Sequence, residues 1–302
     1  MDGARLRVAV WGPTASARGV CALLSGQTEF IEKYCEVIDE LRGRGFAVAA
    51  LDWRGQGGSS RALADPLKVH IGSFAEYDTD LLAFMDQVVR PLSSAPIVLA
   101  HSMGAHILLR GLHNNPGLFS AAVMTAPMLA VSTRGTPRWL AALMTKTMNV
   151  TRAGAEDYVI GMRERDPLRM TFEQNLVSTD RARWARTQDI LKKSPQIRLA
   201  GPTWGWLKQA GESMRAMASP GYAEAIATRS LLVGAGRDRI VLTPPIRDFA
   251  RRMPNAAYIE IAEAEHEILM ETDPVRRRFW QAFDQFLDGK AFAGEKAKGM
   301  AS

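Results

Sequence analysis

Residues 97–109, IVLAHSMGAHILL, constrain this chain more than any other stretch. Ile97 to Ala100 read as a buried strand, and from Met103 onward the apolar spacing turns helical. A buried strand ordinarily runs out into Gly, Pro, Asn or Asp. This one ends in His101-Ser102, with small residues two places to either side of the serine, Ala100 and Gly104. Two readings stand. Ser102 is the N-cap of the helix that follows, or the turn presents its hydroxyl for chemistry. A nucleophilic serine needs a sharp strand-to-helix turn, and larger flanking side chains would collide within it. Ala100-His101-Ser102-Met103-Gly104 has that form, with alanine where glycine is commoner.

The rest of the chain supplies the setting. Its 302 residues are enough for one large domain, or for a domain carrying an insertion. An apolar fraction of 47% and a charged fraction of 23% are those of a globular protein. No apolar run nears the roughly 18 residues of a membrane-spanning helix. The opening MDGARLRVAVWGPTASARG has too short an apolar stretch for a signal peptide, which leads us to expect a cytoplasmic protein. Cys21 and Cys35 have no CxxC or Cys/His neighbours, so we expect a buried, reduced pair and no metal site.

Strand patterns recur at 5–11, 19–25, 46–52, 96–101, 121–126, 229–235 and 256–262. Amphipathic helical patterns fit 29–43, 73–91, 103–113, 243–252 and 275–288. Alternating helices and near-continuous apolar strands predict an α/β fold, its mostly parallel sheet flanked by helices. The alternation breaks after Met128. From about 130 to 217 no strand pattern appears, and Trp, Met and Arg accumulate at helical spacing. The expected organisation is a core of residues 1–129 and 218–290, a helical cap of residues 130–217 inserted between sheet strands, and a flexible tail, 291–302. Such a cap would cover the carboxyl edge, where open α/β sheets bind ligands.

A serine needs a base. Of the five histidines, His101 stands beside Ser102 and is expected to point to the other side. His106 and His113 lie on the helix leading away from the turn, and His70 falls before the serine. In this kind of sheet the order is serine, acid, histidine, which leaves His266, in the loop EAEHEILME. The acid should follow the preceding strand, where LLVGAGRDRIV places Asp238 just past the strand end. Its carboxylate would orient the imidazole and stabilise the imidazolium. Glu263 and Glu265 compete by nearness, but reaching the ring from its own loop is harder. For the developing oxyanion, two backbone donors are expected: the amide of Met103, and that of Gln27 in the loop LLSGQTEF.

With these residues in place, the sequence resembles an α/β-hydrolase, specifically the monoacylglycerol lipase and lysophospholipase branch of the serine hydrolases. The resemblance spans nearly the whole chain through GQTEFIEKY (26–34), LDWRGQGGSSR (51–61), AHSMGA (100–105), TAPM (125–128), GRDRIV (236–241) and HEILME (266–271). The segment NLVSTDRARW (175–184) is similar to the cap of that branch. Carried over by position, the resemblance makes Ser102 the nucleophile, Asp238 the acid and His266 the base, with the Gln27 and Met103 amides as the oxyanion hole. One departure is Ser25-Gly26, where many relatives have His-Gly. The resemblance implies hydrolysis of a carboxylic ester with one acyl chain through an acyl-enzyme, with no cofactor and no metal.

Trp139, Trp184, Trp204, Trp206 and several methionines suit either an apolar acyl tunnel or ordinary cap packing; Trp204 and Trp206 are the substrate-binding candidates. Charge is uneven: residues 130–215 hold 15 Lys plus Arg against 8 Asp plus Glu, while the whole chain carries +6. Either this is a solvated helical surface, or it attracts an anionic headgroup or an anionic membrane surface. The partners expected are a small-molecule lipid ester and peripheral contact with the inner membrane face, with no nucleic acid and no obligate protein partner. A peptidase or thioesterase could use the same triad, though a peptidase binding a free amino terminus would want carboxylates in the cap. A non-catalytic binding protein is the reading from a different class. Dehalogenases and epoxide hydrolases of this fold carry aspartate where Ser102 stands.

Overall fold

A computed structural model describes residues 3–133 and 135–289. The expected tail, 291–302, lies outside the described residues. In chain order, β1 (Val8–Trp11) and β2 (Gly19–Leu24) precede α1 (Cys35–Gly43). Next, β3 (Phe46–Leu51) and the two-residue β4 (Lys68–Val69) lead to α2 (Phe74–Phe84). Strand β5 (Ile97–His101) runs directly into α3 (Ser102–Asn114), and β6 (Ala121–Thr125) follows. Then come α4 (Arg138–Met148), α5 (Arg152–Ala155), α6 (Arg181–Lys193), the two-residue β7 (Gly201–Pro202) and α7 (Trp204–Ala218). The sheet resumes with β8 (Ser230–Ala235), α8 (Thr243–Arg252), β9 (Ala256–Ile261) and α9 (Asp273–Leu287).

Seven strands form one sheet in the order β1-β3-β2-β5-β6-β8-β9. Only β1 pairs antiparallel, with β3, and the remaining pairs are parallel. Both faces are covered, which is why the central strands are apolar at nearly every position. Along β2, Val20, Ala22 and Leu24 face one core, with α2, α3, α7 and α8 packed on it. Cys21 and Leu23 face the other, formed with α1 and α9. The seven strands and five helices expected from periodicity all form at their places.

Two expectations need correction. Cys35 is exposed at the start of α1, so the cysteines are not a buried pair; only Cys21 is buried. The stretch from 130 to 217 also contains a strand, β7, which pairs parallel with β4 through Lys68↔Gly201 and Val69↔Pro202. Two residues are too few to carry a period, and Pro202 lacks the amide that an ordinary strand would use. Among the described residues, no helix is long and apolar enough to cross a membrane.

The parallel strands end along one edge, and the loops after β2, β5, β6, β8 and β9 meet there. Helix α3 is seated unusually close to β2. A Cβ at Gly104 would stand 2.4 Å from the carbonyl oxygen of Ser25 and 2.6 Å from that of Leu24. Gly104→Ala is therefore expected to push α3 off the sheet and lower stability by about 1–3 kcal/mol, read as a shift in the urea unfolding midpoint. An unchanged midpoint would mean that the close seating contributes nothing.

Candidate active site

Ser102 is the first helical residue of α3, and it has φ +48°, in the left-handed region that a β-carbon disfavours. Thr28 (φ +63°) and Ala126 (φ +43°) are the other non-glycine residues in this region among the described residues, and both lie in loops at the same sheet edge. Backbone strain is thus gathered where three strand ends converge. The N-cap position belongs to His101, which makes no capping bond through its side chain. The Ser102 hydroxyl instead bonds His266 Nε2 at 2.9 Å, so the turn presents the hydroxyl and does not spend it on the helix.

On the far side of the imidazole, His266 Nδ1 bonds Asp238 Oδ2 at 2.7 Å. The other Asp238 oxygen accepts the amides of Ile240 and Val241, each at 2.8 Å. Burial alone would push this carboxyl up, but the His266 hydrogen bond and charge and the two amides outweigh it, holding it below its ordinary range. Ser102, His266 and Asp238 are all well buried in this arrangement. Glu265 is turned aside by Arg239 (3.0 Å), and Glu263 pairs with Arg278. His70, His106 and His113 are engaged elsewhere, bonding Thr203, Met128 with Ser213, and Tyr222.

The loop after β2 is held by residues the sequence did not single out. Gln56, within the RGQGGSS stretch, is fully buried and brackets Gln27: its Nε2 donates to the Gly26 carbonyl at 3.0 Å, and its Oε1 accepts the Thr28 amide at 2.8 Å. Glu29 accepts the Gly26 amide at 2.5 Å and the Tyr34 hydroxyl at 2.6 Å. Lys33 joins Glu29 (2.8 Å) to Glu267 (2.6 Å), tying this loop to the one carrying His266. Burial opposes ionisation of Glu29, yet Lys33, with help from His101 and Tyr34, holds it at about 2. Glu267 is displaced upward, because Lys33 only partly offsets its burial. The Met103 amide, in the first turn of α3, is among those with no acceptor inside the helix.

His101 does not point away. Its ring lies 4.8 Å from that of His266, tilted by 54°, and its Nδ1 meets Thr125 Oγ1 at 3.0 Å. The last side chain of β5 stands at the edge where the His266 loop packs, so it becomes a wall of the site. Trp206 is packed in the core against Phe74, with ring centroids 5.9 Å apart. Trp204 lines an apolar cavity of about 410 Å³ with Leu143, Met144, Met148 and Ile160 among its walls. Trp184 packs edge-on against Phe172, and Trp139 is 69% exposed.

Against known proteins, a family model described as serine aminopeptidase, S33, matches residues 15–273. The chain belongs to that family. Its sequence is 33% identical over 268 residues to lysophospholipase L2 of Escherichia coli (strain K12), covering 85% of this chain and 76% of that one. It is 28% identical over 277 residues to the probable lysophospholipase L2 of Haemophilus influenzae, covering 91% and 86%. Among solved structures, a soluble variant of the Saccharomyces cerevisiae monoglyceride lipase superimposes with a TM-score of 0.74 at 18% identity, covering 96% of this chain and 94% of that one. The monoacylglycerol lipase of Paleococcus ferrophilus gives 0.71 at 21% identity, covering 94% and 99%. The fold of this family member is the α/β-hydrolase fold.

Two of its buried imidazoles set a pH response. Burial pulls His101 down to about 4, although the Glu29 charge resists, and burial pulls His106 down to about 3. Their folded values lie below the unfolded value of 6.5, so between 6.5 and about 4 the unfolded chain binds more protons and stability rises with pH. The melting temperature should therefore fall as pH is lowered from 6.5 towards 4, and His106→Gln should flatten part of that fall. A melting temperature independent of pH across this window would contradict it.

Proposed function

We propose that the protein hydrolyses the carboxylic ester of a lipid with a single acyl chain, a lysophospholipid in preference to a monoacylglycerol, with Ser102 as nucleophile, His266 as base and Asp238 as the acid that orients it. The observation that carries this reading is the buried hydrogen-bond chain from Asp238 Oδ2 through the imidazole to Ser102 Oγ. As Oγ attacks the ester carbonyl carbon, His266 Nε2 takes its proton, and Asp238 stabilises the imidazolium. The amides of Gln27 and Met103 receive the oxyanion. His266 then gives the proton to the departing alcohol oxygen as the C–O bond breaks, leaving the acyl group on Ser102. Water attacks this ester, His266 takes its proton, and the proton returns to Oγ as the fatty acid leaves.

In this reading residues 130–217 form a cap over a core made of 1–129 and 218–290. Preference for a lysophospholipid is supported by the similarity to the lysophospholipases and by the excess positive charge of residues 130–215. That charge disfavours the peptidase reading suggested by the family's description, because a substrate's ammonium group would meet repulsion.

We further place the protein at an anionic membrane surface on the cytoplasmic side. None of the residues of α4 is buried. Of the seven exposed large apolar residues among those described, Trp139, Leu143, Val150 and Ile160 cluster on and after this helix. Arg138, Lys146 and Arg152 lie among them in sequence. Exposed apolar and basic side chains interleaved along α4 and the residues after it suit an interface of lipid headgroups and acyl chains. The cavity beside Trp204 shares Leu143 and Ile160 with this patch.

The deciding assay compares fatty-acid release from a lysophosphatidylglycerol and from a matched 1-acylglycerol with p-nitroaniline release from an aminoacyl-p-nitroanilide. The lysophospholipid should be preferred, and Ser102→Ala should reduce turnover by roughly 10⁴-fold or more and abolish fluorophosphonate labelling. Preferential anilide cleavage would transfer the site to peptide chemistry. In a separate measurement, Trp139→Ser combined with Val150→Ser should weaken co-sedimentation with phosphatidylglycerol vesicles and leave hydrolysis of p-nitrophenyl acetate intact. Undiminished vesicle binding would refute the membrane-facing role of α4.

A further inference from the structure

The loop between β9 and α9, which carries His266, is not held by the sheet alone. Residues 177–183, in the stretch between β6 and β8, are bonded to it along their length. The Val177 carbonyl accepts the Glu267 amide at 2.7 Å. Ser178 Oγ donates to the Met270 carbonyl at 2.7 Å. Thr179 Oγ1 donates to Glu271 Oε2 at 2.5 Å. Arg183 donates to the Glu271 carbonyl at 2.9 Å and to Asp273 Oδ1 at 2.7 Å.

Glu271 is the pivot. It has no exposed surface, and its Oε1 accepts the amide of Glu265, the residue before His266, at 3.0 Å. Its Oε2 accepts the Thr272 amide at 3.1 Å as well as the Thr179 hydroxyl. One carboxylate thus closes the loop on itself across His266, with Thr179 holding it from outside. Arg183 ties the same segment to the core through both oxygens of Glu36, at 2.6 and 3.0 Å.

We infer that residues 177–183 brace the catalytic base, with Thr179 and Glu271 as positioning residues that fix where the His266 imidazole stands. The inference rests on the role proposed for His266. It gives the inserted stretch a part in turnover itself, beyond covering the substrate. The imidazole must meet Ser102 at 2.9 Å and Asp238 at 2.7 Å together, so a small shift of its loop breaks one contact or the other. Neither Thr179 nor Glu271 contacts Ser102, so both act through the loop.

A small soluble ester separates this from a covering role, because p-nitrophenyl acetate has no acyl chain to shelter. Thr179→Val removes the hydroxyl and keeps the shape. With active sites counted by fluorophosphonate titration, kcat per active site on p-nitrophenyl acetate should fall about tenfold, as should the rate of Ser102 phosphonylation, with KM little changed. Thr179→Ser should restore both rates. Loss of folding alone would lower the number of active sites and leave the rate at each one unchanged. Ser178→Ala removes a different bond of the brace and should slow both rates in the same direction, which keeps the test open if Thr179→Val does not fold. Wild-type rates per site in Thr179→Val and Ser178→Ala, with only long-chain lipid hydrolysis impaired, would overturn the inference and leave the triad standing. Neither labelling nor ester turnover in the unaltered protein would overturn the triad, and the brace with it.

Discussion

The site depends on how closely the start of α3 approaches the end of β2. Gly104 lies so near the Leu24 and Ser25 carbonyls that no β-carbon fits. That seating brings Ser102, at its positive φ, beside the loop carrying Gly26 and Gln27. A Cβ on Gly26 would itself stand 3.3 Å from Ser102 Cβ. Ser102 and the loop of Gly26 and Gln27 are therefore set beside each other by one contact between backbones. The glycines at 26 and 104 are the trace of that contact in the sequence.

Around it, the loops at the carboxyl edge are fastened by buried polar groups as well as by the apolar packing of residues such as Ile31, Ile268 and Leu269. Gln56 holds the loop after β2 on both sides of Gln27, while Glu29, Lys33 and Glu267 tie it to the histidine loop. A buried ion pair adds little net stability compared with apolar packing, since desolvation opposes the attraction. Its value here is geometric. Directional bonds fix the loops where non-directional dispersion contacts alone would leave several nearly equal placements.

Much of the fold was legible because it follows from periodicity. Continuous apolar strands separated by amphipathic helices can be buried only as a parallel sheet with both faces covered, and the strand and helix positions followed from that. That Ser102, Asp238 and His266 come together was legible for a different reason: each sits just past a strand end, and the parallel strands end along one edge. The failures share a cause. His101 was assigned to the far side by simple alternation, yet at a strand end the neighbouring loop, and not the pleat, decides what a side chain meets. Cys35 looked like core by residue type, and its helix turns it outward. β7 was invisible because a two-residue pairing has no pattern of its own.

By itself, then, the sequence determined the layered architecture, the strand-to-helix turn at Ser102 and the positions of Asp238 and His266 just past later strand ends. Local rules are enough for these, since hydrophobic period and the sterics of one turn are properties of neighbouring residues. Only the tertiary structure decided which polar side chains hold the site in register. Gln56 meets Gly26 across 30 positions, Lys33 meets Glu267 across 234, and Thr179 meets Glu271 across 92. Hydrogen bonds over such separations leave no periodic trace along the chain. They depend on distances and angles that exist only once the sheet has brought the loops together.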